Sequence, residues 1–186
     1  MELRNAIEKR RSIRHYISGD IEDKIITDLL DCGRLAPSAK NRQPWFFVVV
    51  KGDMKDKIAD VMLDWYNKTD ITNYENKLGH SISISYAANT MKEANTLILV
   101  FKEKVELFNN YDNLSIGACI QNILLRATDL GIGSLWIGDT IYVKEQIANM
   151  VDCPNLDLIS AIALGYTDII PRKSPRKALE KIVKRY

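Results

Sequence analysis

Short continuous runs of apolar residues alternate along the chain with longer segments in which apolar positions recur every three or four residues. The continuous runs lie at 45–51, 94–102 and 156–166, and a tight strand-like segment bounded by glycines lies at 131–139. Unbroken apolar runs of this length are typical of strands that are buried on both faces. The pattern therefore predicts about four short buried strands.

The segments between these runs have the spacing of amphipathic helices. The longest is at 113–131, where Gly131 can terminate the helix, and its apolar stripe consists of Ile116, Ile120, Ile123, Leu124 and Ala127. Further helices are predicted at 2–11, 22–35, 54–67 and 143–151, and a small amphipathic helix at the end of the basic tail. Because helices and strands alternate, we expect a sheet covered by helices on both faces.

One stretch, 64–86, breaks this pattern. It is polar, weakly periodic and spotted with aromatic residues, which is typical of a surface excursion or a lid. Its aromatic residues are by default surface or interface residues, although they could stack on an aromatic substrate; they are Trp65, Tyr66, Tyr74 and Tyr86. We expect one domain over 1–186 with this lid-like excursion inside it.

Composition and charge narrow the class of protein. A chain of 186 residues with 46% hydrophobic and 27% charged residues is typical of one globular domain. The net charge of +2 disfavours general nucleic-acid binding. The three cysteines lack metal-binding spacing, the amino terminus lacks the apolar segment of a signal peptide, and no apolar run is long enough to span a bilayer. We expect a cytoplasmic protein without a metal, nucleic-acid or membrane partner.

Basic residues form two clusters, one near each end of the chain. Arg10, Arg11 and Arg14 surround Ser12 where the first helix gives way to an extended segment. Guanidinium groups bind phosphate in bidentate fashion, and a serine hydroxyl adds a further donor. Taken alone, such a cluster is more often a solvated helix end, and the basic "PRKSPRK" at 171–177 is more often a flexible tail.

A third cluster is polar and lies in the loop "PSAKNRQPW" at 37–45. Ser38, Asn41 and Gln43 offer hydrogen-bonding groups on a segment restrained by Pro37 and Pro44. A rigid loop of this kind suits recognition of the edge of a polar heterocycle. An ordinary loop with incidental polar residues is an equally good interpretation.

The glycine-rich "GIGSLWIG" at 131–138 follows a helix rather than a strand, so it does not fit a dinucleotide-binding fingerprint. A glycine whose backbone closely approaches a flat ligand is the functional alternative. Trp45 and Trp136 are expected in the core. With two histidines and no nucleophile or metal motif, demanding chemistry would have to come from a cofactor.

Together these segments resemble the nitroreductase-like family of FMN-dependent oxidoreductases. The matching motifs occur in the family's order and cover most of the chain outside 64–86. They are "RRSIRHY" (10–16), "APSAKNRQPWFFVVV" (36–50), "IGACIQNILLRATDLGIGSLWIGD" (116–139), "AIALGY" (161–166) and "PRKALEKIV" (175–183).

The resemblance implies an α+β fold, a three-layer α/β/α sandwich with a central, mainly antiparallel sheet of about four strands plus a strand exchanged from the partner. It implies a homodimer with tightly bound FMN at the interface, reduced by NADH or NADPH. A ping-pong mechanism would then reduce a small electron-poor acceptor such as a nitroaromatic or a quinone. Reductive dehalogenation, flavin fragmentation, heterocycle oxidation and flavin binding without turnover remain alternatives.

The resemblance also implies roles for residues. Arg10 and Ser12 would hold the FMN phosphate and ribityl end with Arg11 beside them, and Arg14 would lie near the flavin N1–C2 carbonyl, where its charge favours the reduced flavin. The remaining cofactor-binding candidates form three groups. The loop residues Pro37, Ser38, Asn41 and Gln43 would act from the partner at the isoalloxazine edge, and the segment Leu135, Trp136, Ile137 and Gly138 would lie near flavin N5. Lys173 and Arg176 would lie at the phosphate. Ser174 stands where the family often has a lysine, and Lys173 or Arg172 could substitute.

Overall fold

The computed structural model describes residues 1–69 and 77–186, with side chains for all of these except 77–82. Its helices are α1 (Leu3–Lys9), α2 (Asp23–Arg34), α3 (Gly52–Lys68), α4 (Lys77–Glu93), α5 (Asn109–Asp129) and α6 (Lys144–Met150). Its strands are β1 (Trp45–Val50), β2 (Thr96–Glu103), β3 (Gly133–Ile137) and β4 (Leu156–Gly165). Each apolar run that predicts a strand corresponds to one of these four strands.

The strands form one sheet in the order β1-β2-β4-β3, and every neighbouring pair is antiparallel. The predicted four-stranded, mainly antiparallel sheet is thereby confirmed. The register of β2 against β4 shifts between Val100 and Phe101, where a bulge interrupts the ladder. Bulges of this kind increase the local twist of a strand pair.

Helices cover both faces of the sheet. Side chains of β2 alternate between two cores, with Leu97, Leu99 and Phe101 in one and Ile98 and Val100 in the other. Strand side chains alternate between faces, so each core belongs to one face. The first core is completed by α3, α4 and α6 through residues such as Ile58, Met91 and Ile147, and the second by α2 and α5 through Leu29, Ile120 and Ile123. The predicted three-layer sandwich is confirmed.

The edges of the sheet are less covered than the sequence predicts. Trp45 is only half-buried, and Phe46 and Val49 are 50% and 40% exposed. On the other edge, Trp136 is 43% exposed, with its ring near Gly117 of α5. The prediction that β1 is buried throughout is therefore wrong for a single chain, and so is the core position predicted for Trp136, because the helices cover the central strands more fully than the edges. Trp45 packs half-buried against the second core.

The stretch at 64–86 is helical on both flanks, since α3 continues to Lys68 and α4 begins at Lys77. The ring of Trp65 stacks on that of Tyr142 with centroids 4.7 Å apart, whereas Tyr86 is exposed. Ser83 Oγ donates a hydrogen bond of 2.9 Å to Asp139 Oδ2. Both helices are thereby attached to the turn that follows β3. Tyr74 lies outside the described residues.

The carboxyl-terminal tail differs from its prediction. Beyond Gly165 the chain contains one short 3-10 turn, Leu179–Lys181, in place of an amphipathic helix. Leu179 and Ile182 stay exposed, so no apolar face is buried that would stabilise a short helix. None of the helices in the described part of the chain combines the length and the apolar character needed to cross a membrane.

Candidate functional site

The arginine cluster is attached to the edge of the sheet. Helix α1 ends with the Arg10 N–H donating to the Ala6 carbonyl at 2.9 Å, and the chain then becomes extended. Ser12 pairs with Ser134 of β3 in an isolated parallel bridge, and the Ile13 N–H donates to the Ser134 carbonyl at 3.0 Å. Because Ile13 is buried, the segment is fixed, and the flanking arginines lie beside β3.

The two basic clusters meet around one cavity of about 340 Å³. The amino-terminal segment and the tail line it from opposite ends of the sequence. Its cations and hydroxyls are Arg10, Arg11, Ser12, Arg14, Arg172, Lys173, Ser174 and Arg176. The two basic clusters, each of which could have been a solvated surface by itself, therefore form one concave basic site in the folded chain.

The cations of this cavity have few acidic neighbours. Among the side chains that the structure describes, none of the six forms a salt bridge, and the lining residue Glu8 pairs outside the group with Arg4 at 3.0 Å. Burial lowers the pKa of Arg10 below its usual value, and the charges of Arg176 and Arg11 lower it further. An anion in the cavity would relieve this repulsion.

Backbone carbonyls hold several of the guanidinium groups in place. Arg11 Nη1 donates to the Glu8 carbonyl at 2.7 Å, Arg14 Nη1 to that of Ser12 at 3.3 Å, and Arg176 Nη1 to that of Ser174 at 3.3 Å. The Arg11 Nε is buried without a hydrogen-bond partner in the described part of the chain. These donors are oriented before any ligand arrives, which favours the binding of an anion with several oxygen atoms.

The loop at 38–43 has a strained backbone and lies outside the basic cavity of the same chain. Lys40, Asn41 and Gln43 have φ values of 52°, 54° and 49°, in the left-handed region that non-glycine residues rarely adopt. Ser38 Oγ accepts the Gln43 N–H at 2.9 Å, and Ser115 Oγ of α5 accepts the Ala39 N–H at 3.3 Å. The candidates Pro37, Asn41 and Gln43 are exposed. None of this loop lines the basic cavity of the same chain.

The end of β3 is open on one side. Leu135 and Ile137 point into the core, whereas Trp136 and Gly138 are exposed. The Ile137 carbonyl accepts a 2.7 Å hydrogen bond from Ser160 Oγ, which fixes the strand end. A Cβ atom placed on Gly138 would meet nothing within 4 Å, so packing within the chain does not require glycine there. The open space is available to a flat ligand.

Sequence reasoning missed the residues that hold this arrangement together. Ser134 ties the arginine segment to β3, and Asp112 of α5 binds Arg42 of the strained loop. A lone serine in a strand and a lone aspartate in a helix carry no motif, so neither gives a signal in the sequence. Within the described residues, no group of His, Cys, Asp or Glu could hold a metal ion.

Comparison with known proteins identifies the family. The model of the nitroreductase family matches residues 7–166, a span that contains the arginine cluster, the strained loop and β3. The chain belongs to the nitroreductase family. The expectation drawn from the five motifs is thereby confirmed.

Relatives of this nitroreductase-family chain carry the names of more than one activity. A protein of Archaeoglobus fulgidus, provisionally named an NADH dehydrogenase/NAD(P)H nitroreductase, is 31% identical over 89% of this chain and 85% of its own. An iodotyrosine deiodinase of Thermotoga neapolitana is 27% identical over 99% and 97%. The crystal structure of a nitroreductase, again a provisional name, from Desulfovibrio desulfuricans in complex with FMN is 28% identical, with a TM-score of 0.76 over 99% and 96% of the chains.

Proposed function

We propose that this protein is an FMN-dependent oxidoreductase that uses NADH or NADPH to reduce a small electron-poor acceptor. The observation that carries the proposal is the cavity of six cations, none of them paired with a carboxylate in the described part of the chain, on a segment that Ser12 joins to Ser134 of β3. Bound FMN would supply the two-electron chemistry in a ping-pong cycle. The residues of the chain would bind the cofactor, orient it and adjust the charge around it.

The chemistry of the cavity fits a phosphate monoester. Arg10 and Arg176 would grip the phosphate oxygens, and the Ser12 hydroxyl would donate one further hydrogen bond. Arg172 and Lys173 both line the cavity, which supports their replacing the lysine that is absent at Ser174. A phosphate dianion would offset both the burial of the Arg10 charge and the repulsion from Arg176 and Arg11, which together lower the pKa of Arg10.

The flavin ring would extend from the phosphate toward the end of β3. The segment from Leu135 to Gly138 would lie along it, with the open side of Gly138 leaving room for a hydride donor. Arg14 is exposed, follows the Ser12–Ser134 bridge by two residues and is held by the Ser12 carbonyl, so it would place a fixed positive charge near the ring.

A second copy of the chain would complete the site. Ser38, Asn41 and Gln43 do not line the cavity of their own chain, and large apolar side chains are exposed on the sheet edges and on α5. These include Phe46, Val49, Tyr111, Leu114 and Trp136. Such exposure supports a homodimer in which the strained loop of one subunit reaches the flavin edge of the other.

The acceptor is proposed to be a nitroaromatic or a quinone. Reductive dehalogenation of a halogenated phenol is the second candidate, because the Thermotoga neapolitana deiodinase aligns over nearly the whole of both chains. The two candidate reactions would share the flavin site. They would differ in the substrate that the region around α3 and α4 admits.

The test is anaerobic reduction of the FMN-loaded protein. NADH or NADPH should bleach the visible flavin absorbance, and subsequent addition of a nitroaromatic or a quinone should restore it. Recovery with iodotyrosine alone would select dehalogenation. A protein that takes up FMN but is reduced only by dithionite would contradict a nicotinamide donor, and one that takes up no FMN would overturn the proposal.

A further inference from the structure

The strained loop is joined to helix α5 by a charged pair. Arg42 Nε and Nη2 donate to the two carboxylate oxygens of Asp112 at 3.1 and 3.2 Å, a bidentate arrangement. The guanidinium carbon also lies 4.1 Å above the ring centroid of Phe108, and Lys40 Nζ lies 5.5 Å from the same centroid. Two side chains outside the candidate flavin contacts, Asp112 and Phe108, therefore hold this loop through Arg42 and Lys40.

The Asp112 carboxylate requires this partner. Its side chain is 1% exposed, whereas that of Arg42 is 25% exposed, so the carboxylate is removed from water and the guanidinium only partly. An unpaired buried carboxylate is strongly unfavourable. The hydrogen bonds that Arg42 donates to Asp112 raise the pKa of Arg42 above its usual value, so the guanidinium stays charged beside the carboxylate.

The backbone conformation of the loop is energetically unfavourable by itself. Lys40, Asn41 and Gln43 all occupy left-handed backbone conformations, each of which costs energy in a residue with a Cβ atom. A further hydrogen bond, from the Ala39 N–H to Ser115 Oγ, ties the loop to α5, whereas those from the Gln43 N–H to Ser38 Oγ and from the Asn41 N–H to the Ser38 carbonyl lie within the loop. Strain of this kind persists only where surrounding contacts enforce it.

We propose that Arg42 and Asp112 are positioning residues that hold the loop at 38–43 in its strained form and so determine how tightly the flavin edge is bound. The inference rests on the proposed function, since it assigns Ser38 and Asn41 to the flavin edge. With the pair intact, the loop is ordered before binding. Without it, flavin binding must supply the free energy that orders the loop, so affinity falls.

The experiment compares Arg42→Ala, Arg42→Lys and the double variant Arg42→Gln/Asp112→Asn. The double variant removes both charges but retains hydrogen-bonding groups, so it avoids an unpaired buried carboxylate. Arg34→Ala is the matched control, because it breaks an exposed arginine–aspartate pair with Asp31 on α2, away from the loop.

Two measurements are made on each folded variant. The first is the Kd for FMN together with the visible circular dichroism of bound flavin, which reports the surroundings of the ring. We expect Kd to rise by at least about tenfold in Arg42→Ala and in the double variant, less in Arg42→Lys, and not in Arg34→Ala. The second is hydrogen exchange of the Ala39 and Gln43 amides without flavin, which should accelerate in the variants that lose the pair.

These outcomes separate the inference from the function on which it rests. Failure of the unaltered protein to take up FMN would refute the proposed function alone, and the amide exchange would still test the restraint on the loop. Unchanged exchange at Ala39 and Gln43 in the double variant would overturn the positioning role. Faster exchange with an FMN Kd within about twofold of the unaltered protein would overturn the link to flavin affinity.

Discussion

Replacement of Arg10 by alanine should have opposite effects on cofactor binding and on the stability of the free protein. Arg10 lines the basic cavity, is half-buried and has no carboxylate partner among the described side chains. In complex with FMN it would make a charge-assisted contact, and the loss of such a contact costs about 1.5–3 kcal/mol, or about 10- to 150-fold in Kd. In the free protein its removal eliminates a partly buried charge and its repulsion from Arg176 and Arg11, which together lower its pKa.

The assay is a titration of apoprotein with FMN, followed by quenching of flavin fluorescence, beside thermal unfolding of the apoprotein. Arg34→Ala serves as the control for simple loss of a positive charge, because its exposed pair on α2 is outside the cavity. We expect the apo Arg10→Ala variant to be as stable as the parent or more so. An FMN Kd within about twofold of the parent would refute the electrostatic argument, as would marked destabilisation of the apo variant.

Four further predictions concern the core and its chemistry. Burial raises the pKa of the Cys119 thiol to about 12, so a thiol reagent should label Cys32 and Cys153 in the native protein but spare Cys119; equal labelling would contradict this. Because the unfolded chain releases the Cys119 proton while the folded chain keeps it, stability should fall from about pH 9 to 12 by at most about 1.4 kcal/mol per pH unit, and Cys119→Ala should lack that component. Phe101→Ala should cost about 3–5 kcal/mol in urea unfolding, since Phe101 of the central strand β2 is fully buried in the first core; a loss below about 1 kcal/mol would mean that this core is loosely packed. Gly165→Ala should cost about 1–3 kcal/mol, because the new Cβ would lie 2.6 Å from Tyr16 Cδ1, and a variant as stable as the parent would show that this ring can move.

Much of the fold could be predicted because periodicity reflects burial. The apolar runs at 94–102 and 156–166 correspond to the two central strands, which are covered on both faces. The run at 45–51 has the same composition but forms an edge strand with Phe46 and Val49 exposed. A single sequence cannot distinguish apolar residues that the same chain covers from those that a second chain would cover.

The candidate site could be predicted only in pieces. The sequence shows an arginine cluster and a basic tail, but their meeting depends on the attachment of Ser12 to Ser134 and on the path of the tail across the sheet edge. That the loop at 38–43 lies outside the cavity of its own chain depends equally on tertiary structure. Asp112 gave no signal because its role comes from burial beneath Arg42 rather than from its neighbours in sequence.

The most direct test of the central claim is a comparison of FMN and riboflavin in equilibrium titrations of the apoprotein. The two flavins share the ring and differ in the phosphate, which is the group that Arg10 and Arg176 are proposed to grip. We predict stoichiometric FMN binding that weakens with added salt, and riboflavin affinity lower by at least about 100-fold, because at least two charge-assisted contacts are lost. Equal affinity for the two flavins, or binding of neither, would contradict the account.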